Sequence, residues 1–501
     1  MAGSPPRPDA PDHDVVVIGA GVIGCAIARE LAGYALRVAL VEARGDVGDG
    51  TSKANTAILH TGFDATPGTL ESRLVHDGYL LLRDYCEATG IPVEHTSALL
   101  VAWDDEQLAN LPVLKEKAER NGYHETSIVD AAHVYATVPD LGPGALGGLV
   151  VLGESIICTW STSIALATDA VNRGATLLLD TRVTGLTVPG GGGAGDAGAE
   201  DAALVGDAGA DAGEAGASGG AGASGAHAIV HTTRGPLTTR WVVNAAGLGG
   251  DEVDAMAGFD RFHLHPRRGE LLVFDKLTRP RVPVIVLPVP SKLGKGVLVS
   301  PTIYGNVMVG PTAEDMTDRT DTATTQDGFD FLRAKGEALM PSLMDEEVTA
   351  AYAGLRAAHD RSDYVIEADA RLGYAVAGCI RSTGLTSAMA VGEYVAGMLA
   401  DAGLDLEPRA DLPAPPRVPQ IGEHAPRPYQ DADLIAADPA YGEIVCFCER
   451  VTAGEIRDAL GSTVPARDLG GLRRRTRAHN GRCQGFFCGA RLTALLEEAS
   501  R

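Results

Sequence analysis

The feature that most constrains this chain is a glycine-rich turn near its start, Gly19-Ala-Gly-Val-Ile-Gly24. An apolar strand-like run over residues 15–18 precedes it, and a helical pattern that continues through Leu31 follows it. Gly19 allows a tight turn, Gly21 lets the backbone approach a pyrophosphate, and Gly24 lets the helix pack on the strand. This order predicts a Rossmann-like βαβ unit that binds a dinucleotide.

Two further segments bear on which nucleotide is bound. Glu42 ends the next strand, where its carboxylate can accept hydrogen bonds from ribose hydroxyls. The motif alone does not separate FAD from NAD, and a tight turn without a ligand is the plain alternative. FAD is favoured because the motif occurs once, almost at the N-terminus. It is also favoured because the strand Trp241-Val-Val-Asn-Ala-Ala-Gly247 ends in the small residues that a close cofactor requires.

The charge balance narrows the partners. Among 501 residues, 42 Lys and Arg against 66 Asp and Glu give a net charge of −24. This charge argues against nucleic acid or an anionic membrane as the main partner. We expect no membrane span because no run of about 20 apolar residues occurs. Eight cysteines make no secreted disulfide scaffold, so we expect a soluble cytoplasmic protein.

Composition divides the chain into two folded parts. A Pro- and Asp-rich tail over residues 1–13 and a Gly-, Ala- and acid-rich insert over 190–226 are predicted to be disordered. A Pro-rich stretch over 406–438 is predicted to be an extended linker. What remains is a nucleotide-binding body over 14–405 and a C-terminal module over 439–501.

The body is predicted to contain a second lobe. The insert separates two strand-like runs, 183–188 and 228–232, and so lies at a hairpin tip. An apolar helix over 386–400, which Gly384 opens, ends the body. Further alternating runs predict an antiparallel sheet, and we place a substrate lobe at about 261–345. These runs are residues 270–274, 296–300 and 307–310.

Four of the cysteines lie close together near the C-terminus. Cys446-Phe-Cys448 and Cys483-Gln-Gly-Phe-Phe-Cys488 supply four thiolates, enough for a [2Fe–2S] cluster or a structural zinc. Zinc sites more often use pairs spaced two to four residues apart, so the Cys-x-Cys pair is unusual for zinc. A cluster would also give a flavin domain somewhere to send electrons. Iron–sulfur is therefore favoured over zinc and over free thiols.

A run of arginines lies beside the second cysteine pair. Their charge could offset an anionic cluster, ease its reduction or form a docking face, and a solvated basic face is the plain alternative. His479 could donate a hydrogen bond from outside the ligand set. The arginines are Arg473, Arg474, Arg475, Arg477 and Arg482. The other four cysteines are expected to be plain core residues: Cys25, Cys86, Cys158 and Cys379.

Several longer motifs carry a family resemblance. They are Thr51-Ser-Lys-Ala-Asn-Thr-Ala-Ile-Leu-His-Thr-Gly-Phe-Asp-Ala65, Pro266-Arg-Arg-Gly-Glu270, Pro290-Ser-Lys-Leu-Gly-Lys-Gly-Val297, Tyr352-Ala-Gly-Leu-Arg356 and Ile380-Arg-Ser-Thr-Gly-Leu-Thr386. With them the body resembles the FAD-dependent D-amino-acid-oxidase-like superfamily, in particular its glycerol-3-phosphate dehydrogenase and oxidase branch. The C-terminal module resembles bacterioferritin-associated-ferredoxin-like [2Fe–2S] domains. The combination is similar to the large catalytic chains of anaerobic glycerol-3-phosphate dehydrogenases.

The resemblance implies a fold and a set of cofactor contacts. The fold class is α/β (α+β): a Rossmann-like FAD-binding domain with an antiparallel-sheet substrate lobe, plus a small helical iron–sulfur domain. Cys446, Cys448, Cys483 and Cys488 would bind the cluster. The residues implied to lie along the FAD are Gly19, Gly21, Gly24, Glu42, Ser52, Asn55, Val183, Ala246, Gly247, Gly384, Leu385 and Thr386.

The resemblance also implies a catalytic set. His60 matches the histidine beside the flavin, and histidine suits a general base because its unperturbed pKa is about 6.5. Arg356 and Arg381 match positions that hold an anionic substrate, and Lys295 matches a residue near the substrate mouth. Departures from the family pattern, which put substrate identity in doubt, are Thr383, Met389 and Ala357, where relatives usually carry proline.

The expected function is FAD-dependent oxidation of sn-glycerol 3-phosphate to dihydroxyacetone phosphate. Electrons would pass through the [2Fe–2S] cluster to the quinone pool by way of a partner subunit, which could hold the protein at the inner face of the membrane. Alternatives are oxidation of a 2-hydroxyacid such as L-2-hydroxyglutarate, oxidation of an amino or imino acid, and a non-catalytic electron-relay subunit.

Overall fold

The computed structural model describes residues 11–189, 227–290 and 296–499. Its strands are β1 (His13–Ile18), β2 (Val38–Val41), β3 (Ile58–Leu59), β4 (Val93–Glu94), β5 (Ala98–Ala102), β6 (Thr126–Asp130), β7 (Gly147–Val151), β8 (Ser155–Ile157), β9 (Thr176–Leu178), β10 (Val183–Thr187), β11 (Ala228–Thr232), β12 (Leu237–Asn244), β13 (His265–Phe274), β14 (Ile285–Pro288), β15 (Leu298–Pro301), β16 (Val307–Gly310), β17 (Glu314–Asp315), β18 (Val348–Ala358), β19 (Val365–Asp369), β20 (Tyr374–Gly378), β21 (Ile444–Cys446) and β22 (Val451–Thr452). Its helices are α1 (Val22–Leu31), α2 (Leu70–Thr89), α3 (Asp105–Arg120), α4 (Ala131–Thr137), α5 (Thr159–Asn172), α6 (Gly250–Met256), α7 (Gln326–Leu339), α8 (Gly384–Asp401), α9 (Ala432–Ala437), α10 (Ala453–Gly461), α11 (Leu469–Thr476) and α12 (Gly489–Ala499).

The first lobe is built on a sheet whose centre is parallel. Strand β1 lies between β2 and β12, β2 pairs with β9, and β12 pairs with β20, all in parallel. Val15 and Val17 pack with α1, α5 and α8 on one face, and Val16 and Ile18 pack with α6 on the other. Burial on both faces explains why β1 is a continuous apolar run. The predicted Rossmann-like domain is confirmed.

The second lobe is a nine-stranded, mostly antiparallel sheet in the order β17-β13-β16-β15-β14-β5-β7-β6, with β18 on β13. The predicted antiparallel lobe is therefore present, but its predicted range of 261–345 is too narrow. Strands β5, β6 and β7 enter from the first part of the chain, because Ile285 at the start of β14 pairs in parallel with Ala98 of β5. Local alternation of side chains carries no signal for such a distant pairing.

The stretches expected to be unstructured have different outcomes. The insert over 190–226 and residues 1–10 of the tail lie outside the described residues. The rest of the tail is ordered, because β1 begins at His13 and the side chain of Asp12 accepts hydrogen bonds from Thr238. Strands β10 and β11, which flank the insert, pair as an antiparallel hairpin.

Residues 406–438 differ from a free linker. The N–H of Ala35 donates to the carbonyl of Glu407 at 2.8 Å, and the N–H of Val418 donates to the carbonyl of Thr89 at 2.9 Å. Ile421 is buried against the first lobe, and the segment ends in α9. Proline content predicts an extended backbone but not the surface on which that backbone lies.

The C-terminal module has its own small core. Strands β21 and β22 and helices α10, α11 and α12 surround Val451, Ile456, Leu472 and Leu492. Helix α10 begins with a capping box in which Thr452 and Glu455 bond to each other's backbone N–H. In the described chain, no helix combines the length and apolarity needed to cross a bilayer.

Candidate active site and cysteine cluster

The glycine turn is packed too closely for side chains. Gly19 has φ +99°, and a Cβ there would lie 2.6 Å from the carbonyl oxygen of Ala245. A Cβ on Gly24 would collide with the carbonyl oxygen of Gly19. Gly21 caps α1 without a side-chain bond, so the first N–H groups of the helix face the end of the strands. Such a helix start is suited to hold phosphate.

Glu42 and Ser52 fix this turn from the neighbouring segment. Glu42 Oε2 accepts from the N–H of Ala20 at 2.8 Å, and Ser52 Oγ accepts from the N–H of Val22 at 3.0 Å. Burial raises the pKa of Glu42, while bonds from Ala20 and Arg44 act in the opposite direction. Both predicted cofactor residues therefore lie at the carboxyl edge of the parallel strands, where ligands bind in such folds.

Most of the other predicted cofactor residues lie along the same edge. Asn55 donates from Nδ2 to the carbonyl of Ser52 at 3.0 Å. Ala246 and Gly247 directly follow β12, beside the glycine turn. Val183 opens β10 on an outer part of the sheet. The first turn of α8 contains Gly384, Leu385 and Thr386.

His60 is held by a buried carboxylate. Its Nδ1 lies 2.9 Å from Glu154 Oε2, and its backbone N–H donates to Thr386 Oγ1 at 3.0 Å. Glu154 is fully buried, and its Oε1 accepts from the N–H and the hydroxyl of Thr61. An ionised Glu154 places the ring proton on Nδ1, which leaves Nε2 as the basic atom.

Glu154 is the functional residue that the sequence analysis missed. It lies in the turn between β7 and β8, 94 positions from His60, and belongs to none of the motifs that carry the resemblance. The available signal was an acid flanked by two apolar strands, since a charged residue in such a place must be paired.

The three predicted substrate residues have different environments. Arg356 of β18 is half-buried and donates to the carbonyl of Thr312 at 2.6 Å, and it forms no salt bridge with the described residues. Burial, and then the charge of Arg267, lowers its pKa. Arg381 is 43% exposed and pairs with Glu71 at 3.2 Å. Lys295 lies outside the described residues.

The four C-terminal cysteines gather in one place. The thiols of Cys448 and Cys483 contact each other, as do those of Cys446 and Cys488. Gly481 allows this approach, because a Cβ there would collide with Cys448. The Cys483 thiol accepts bonds from three backbone N–H groups, with that of Phe487 strongest, and these lower its pKa. Burial raises the pKa of Cys488 to about 11.

This arrangement fits a two-iron cluster better than one metal ion. Among the residues that the structure describes, no three His, Cys, Asp or Glu side chains converge closely enough to bind a single ion. A structural zinc needs four ligands around one point, whereas each iron of a four-cysteine [2Fe–2S] cluster takes two thiolates. Two thiol pairs, surrounded by inward-pointing N–H groups, are the donor set that an anionic cluster requires.

The arginine run turns toward the first lobe. Arg475 bonds both carboxylate oxygens of Asp46 at 2.8 Å, and Arg474 donates to Asp46 Oδ2 at 2.6 Å. All three side chains are nearly inaccessible, with Asp46 only 2% exposed. Burial opposes ionisation of Asp46, but the bond and the charge of Arg475, followed by Arg474, outweigh it and lower the pKa. The run is therefore a docking face within the chain.

Comparison with protein families gives two matches. The model of FAD dependent oxidoreductases matches residues 14–398, and the BFD-like [2Fe-2S] binding domain matches residues 444–498.

Individual relatives match over most of their lengths. A glycerol 3-phosphate dehydrogenase from Caloramator mitchellensis is 35% identical over 486 residues, which cover 96% of this chain and 93% of that protein. One component of the anaerobic glycerol-3-phosphate dehydrogenase of Escherichia coli K12 is 27% identical over 98% of this chain and 89% of its own. Among solved structures, dithionite-reduced L-alpha-glycerophosphate oxidase from Mycoplasma pneumoniae with FAD bound has a TM-score of 0.71 and 26% identity, and covers 82% of this chain and 99% of its own.

Proposed function

The chain belongs to the family of FAD-dependent oxidoreductases and ends in a BFD-like [2Fe-2S] binding domain, and on this premise we propose that it oxidises sn-glycerol 3-phosphate to dihydroxyacetone phosphate. The predicted cofactors and the predicted enzyme class are confirmed by these matches. The substrate is inferred from the names of the relatives together with the chemistry of the site.

The observation that carries the proposal is the His60–Glu154 pair. A buried glutamate that fixes one ring nitrogen leaves the other free to accept a proton, and it stabilises the imidazolium that forms. Oxidation of a secondary alcohol needs such a base for its hydroxyl proton. A protein that only relays electrons would have no use for it.

We assign Arg356 to the anionic end of the substrate. Strand β18 lies against the segment that follows the glycine turn, because Tyr352 donates to the carbonyl of Asn55 at 3.1 Å and Thr51 donates to that of Leu355 at 2.9 Å. Arg356 is the next residue along this strand. Its guanidinium has no carboxylate partner among the described residues, so it can bind phosphate without first breaking an ion pair.

The residues divide the work in a definite way. Arg356 would hold the phosphate, and His60 Nε2 would take the proton from the hydroxyl of the neighbouring carbon. Glu154 would keep the ring oriented throughout. When bound, FAD supplies the acceptor for the hydride equivalent, and the iron–sulfur cluster supplies a one-electron outlet.

We also propose that electrons leave through a partner protein. The Escherichia coli relative, which aligns with 98% of this chain, is named as one component of a dehydrogenase that has several. The cysteine loop is suited to such an exit because three phenylalanines beside it are exposed: Phe447 at 72%, Phe486 at 84% and Phe487 at 73%.

Anaerobic mixing with candidate substrates tests the proposal. Glycerol 3-phosphate should bleach the flavin in the wild type, whereas the His60→Gln variant with the same FAD content should bleach it at least about 100-fold more slowly. L-2-hydroxyglutarate and proline should leave both proteins yellow. Bleaching by hydroxyglutarate or proline but not by glycerol 3-phosphate would replace the proposed substrate. No bleaching by any of them would favour a protein that only relays electrons.

A further inference from the structure

Arg477 lies buried at the contact between the first lobe and the C-terminal module. It follows α11 in the left-handed conformation, with φ +74°, and is 5% exposed. A buried arginine in that conformation must be held by strong partners, since both its charge and its backbone are costly there. Its partners lie on both sides of the contact.

On the side of the first lobe, Arg477 stacks on aromatic rings. Its guanidinium carbon lies 4.0 Å from the ring centroid of Tyr304 and 5.8 Å from that of Trp160. These two rings stack on each other at 5.0 Å. The indole Nε1 of Trp160 donates to the carbonyl of Lys53 at 3.0 Å, beside the predicted FAD residue Ser52.

On the side of the module, Arg477 holds the cysteine loop. Its Nε and Nη2 donate to Glu449 Oε2 at 3.1 and 3.0 Å. Glu449 is 3% exposed and directly follows Cys448. A continuous series of contacts therefore runs from the wall of the nucleotide site to the residue beside a predicted cluster ligand.

We propose that Arg477 is a positioning residue that clamps the cluster loop to the FAD-binding lobe, so that electrons can pass between the two sites. The inference rests on the proposed function only in requiring that both cofactors take part. Each transfer moves one electron: the reduced FAD loses it and the oxidised cluster gains it. The substrate supplies two electrons per turnover, so two transfers follow each oxidation, and no proton needs to cross the contact.

The test uses the intact holoprotein and needs no substrate. Deazaflavin photoreduced with EDTA supplies electrons, flavin bleaching reports their arrival at FAD, and freeze-quench EPR reports their arrival at the cluster. In Arg477→Gln, which removes the charge but keeps a polar side chain, the docked form should be depleted about tenfold or more. Cluster reduction should slow by the same factor, flavin reduction should be unchanged, and hydrogen exchange of the α11 amides should accelerate.

Two controls match this variant. Arg467→Gln removes another arginine that crosses the same contact, but its bond to Asp180 is half-exposed and contributes little. Tyr304→Phe keeps the ring and removes only the hydroxyl. Both should reduce the cluster at the wild-type rate.

Two results would overturn the inference. One is cluster reduction in Arg477→Gln within twofold of the wild type, whether or not α11 exchanges faster. The other is a rate within twofold of the wild type in Tyr304→Leu, which removes the ring face from outside the cysteine loop. If Arg477→Gln does not load iron, the rate of Tyr304→Leu decides. Silence toward glycerol 3-phosphate would contradict the proposed substrate and leave this test intact.

Discussion

Replacement of Asp46 by asparagine tests the docking of the C-terminal module. Asp46→Asn keeps the size of the side chain and removes the charge that Arg474 and Arg475 share at 2.6–2.8 Å. Both arginines stay buried, at 7% and 5% exposure, without their carboxylate. Loss of one member of a buried ion pair costs roughly 3–5 kcal/mol, and we expect about 3 kcal/mol because the amide oxygen still accepts one bond.

The measurement is hydrogen exchange of the α11 amides at increasing urea concentration. With a urea dependence of about 1–3 kcal/mol per molar, the midpoint of exchange should fall by roughly 1–3 M. Asp180→Asn is the matched control, because its bond to Arg467 crosses the same contact in a half-exposed place and should contribute less than about 1 kcal/mol. Equal midpoints for the two variants would refute the reasoning.

The pH dependence gives this prediction a sign. The folded-state pKa of Asp46 is lowered, so the stability it contributes is present above the unfolded value of about 3.9 and is lost as pH falls through the folded pKa. The difference between wild type and Asp46→Asn should therefore shrink as the pH is lowered below about 4. A difference that stays constant through that range would mean that the ion pair is not its source.

Two further predictions concern the first lobe. Glu154→Gln should lower kcat about 100-fold or more at unchanged FAD content, since the neutral amide no longer stabilises the imidazolium of His60; a kcat within threefold of wild type, measured from pH 6 to 9, would remove Glu154 from the mechanism. Gly24→Ala should abolish FAD binding because the added methyl collides with the carbonyl of Gly19, whereas Gly397→Ala in α8 meets no atom within 4 Å and should bind FAD as the wild type does; FAD retained on desalting of Gly24→Ala would show that the turn can relax.

The parts of this fold that sequence predicts are those fixed by local sterics. Gly19 and Gly24 occupy positions that no side chain can fill, so their spacing alone indicates the turn, the flanking strand and the helix. Likewise, the capping box from Thr452 to Glu455 marks the start of α10 within four residues. Such signals need no knowledge of the rest of the chain.

What sequence could not predict depends on contacts between distant segments. Glu154 meets His60 only because β8 pairs with β3, and Asp46 meets Arg475 across 429 positions. Neither partner has a spacing rule, and each looks like an ordinary acid when considered alone. The range of the second lobe was too narrow for the same reason, since its β5 joins β14 from far upstream.

The docking contacts also decide among the roles open to the arginine run. Four of the five arginines pair with carboxylates: Arg474 and Arg475 with Asp46, Arg477 with Glu449, and Arg482 with Asp275. The fifth, Arg473, donates to the side chain of Asn480. Their charge is thus used to hold the module in place, and little of it is left to offset an anionic cluster. That task falls to the backbone, where the N–H groups of residues 485–487 point at Cys483 and that of His479 points at Cys488. Substitution of these arginines should therefore change how the module docks before it changes how the cysteines bind.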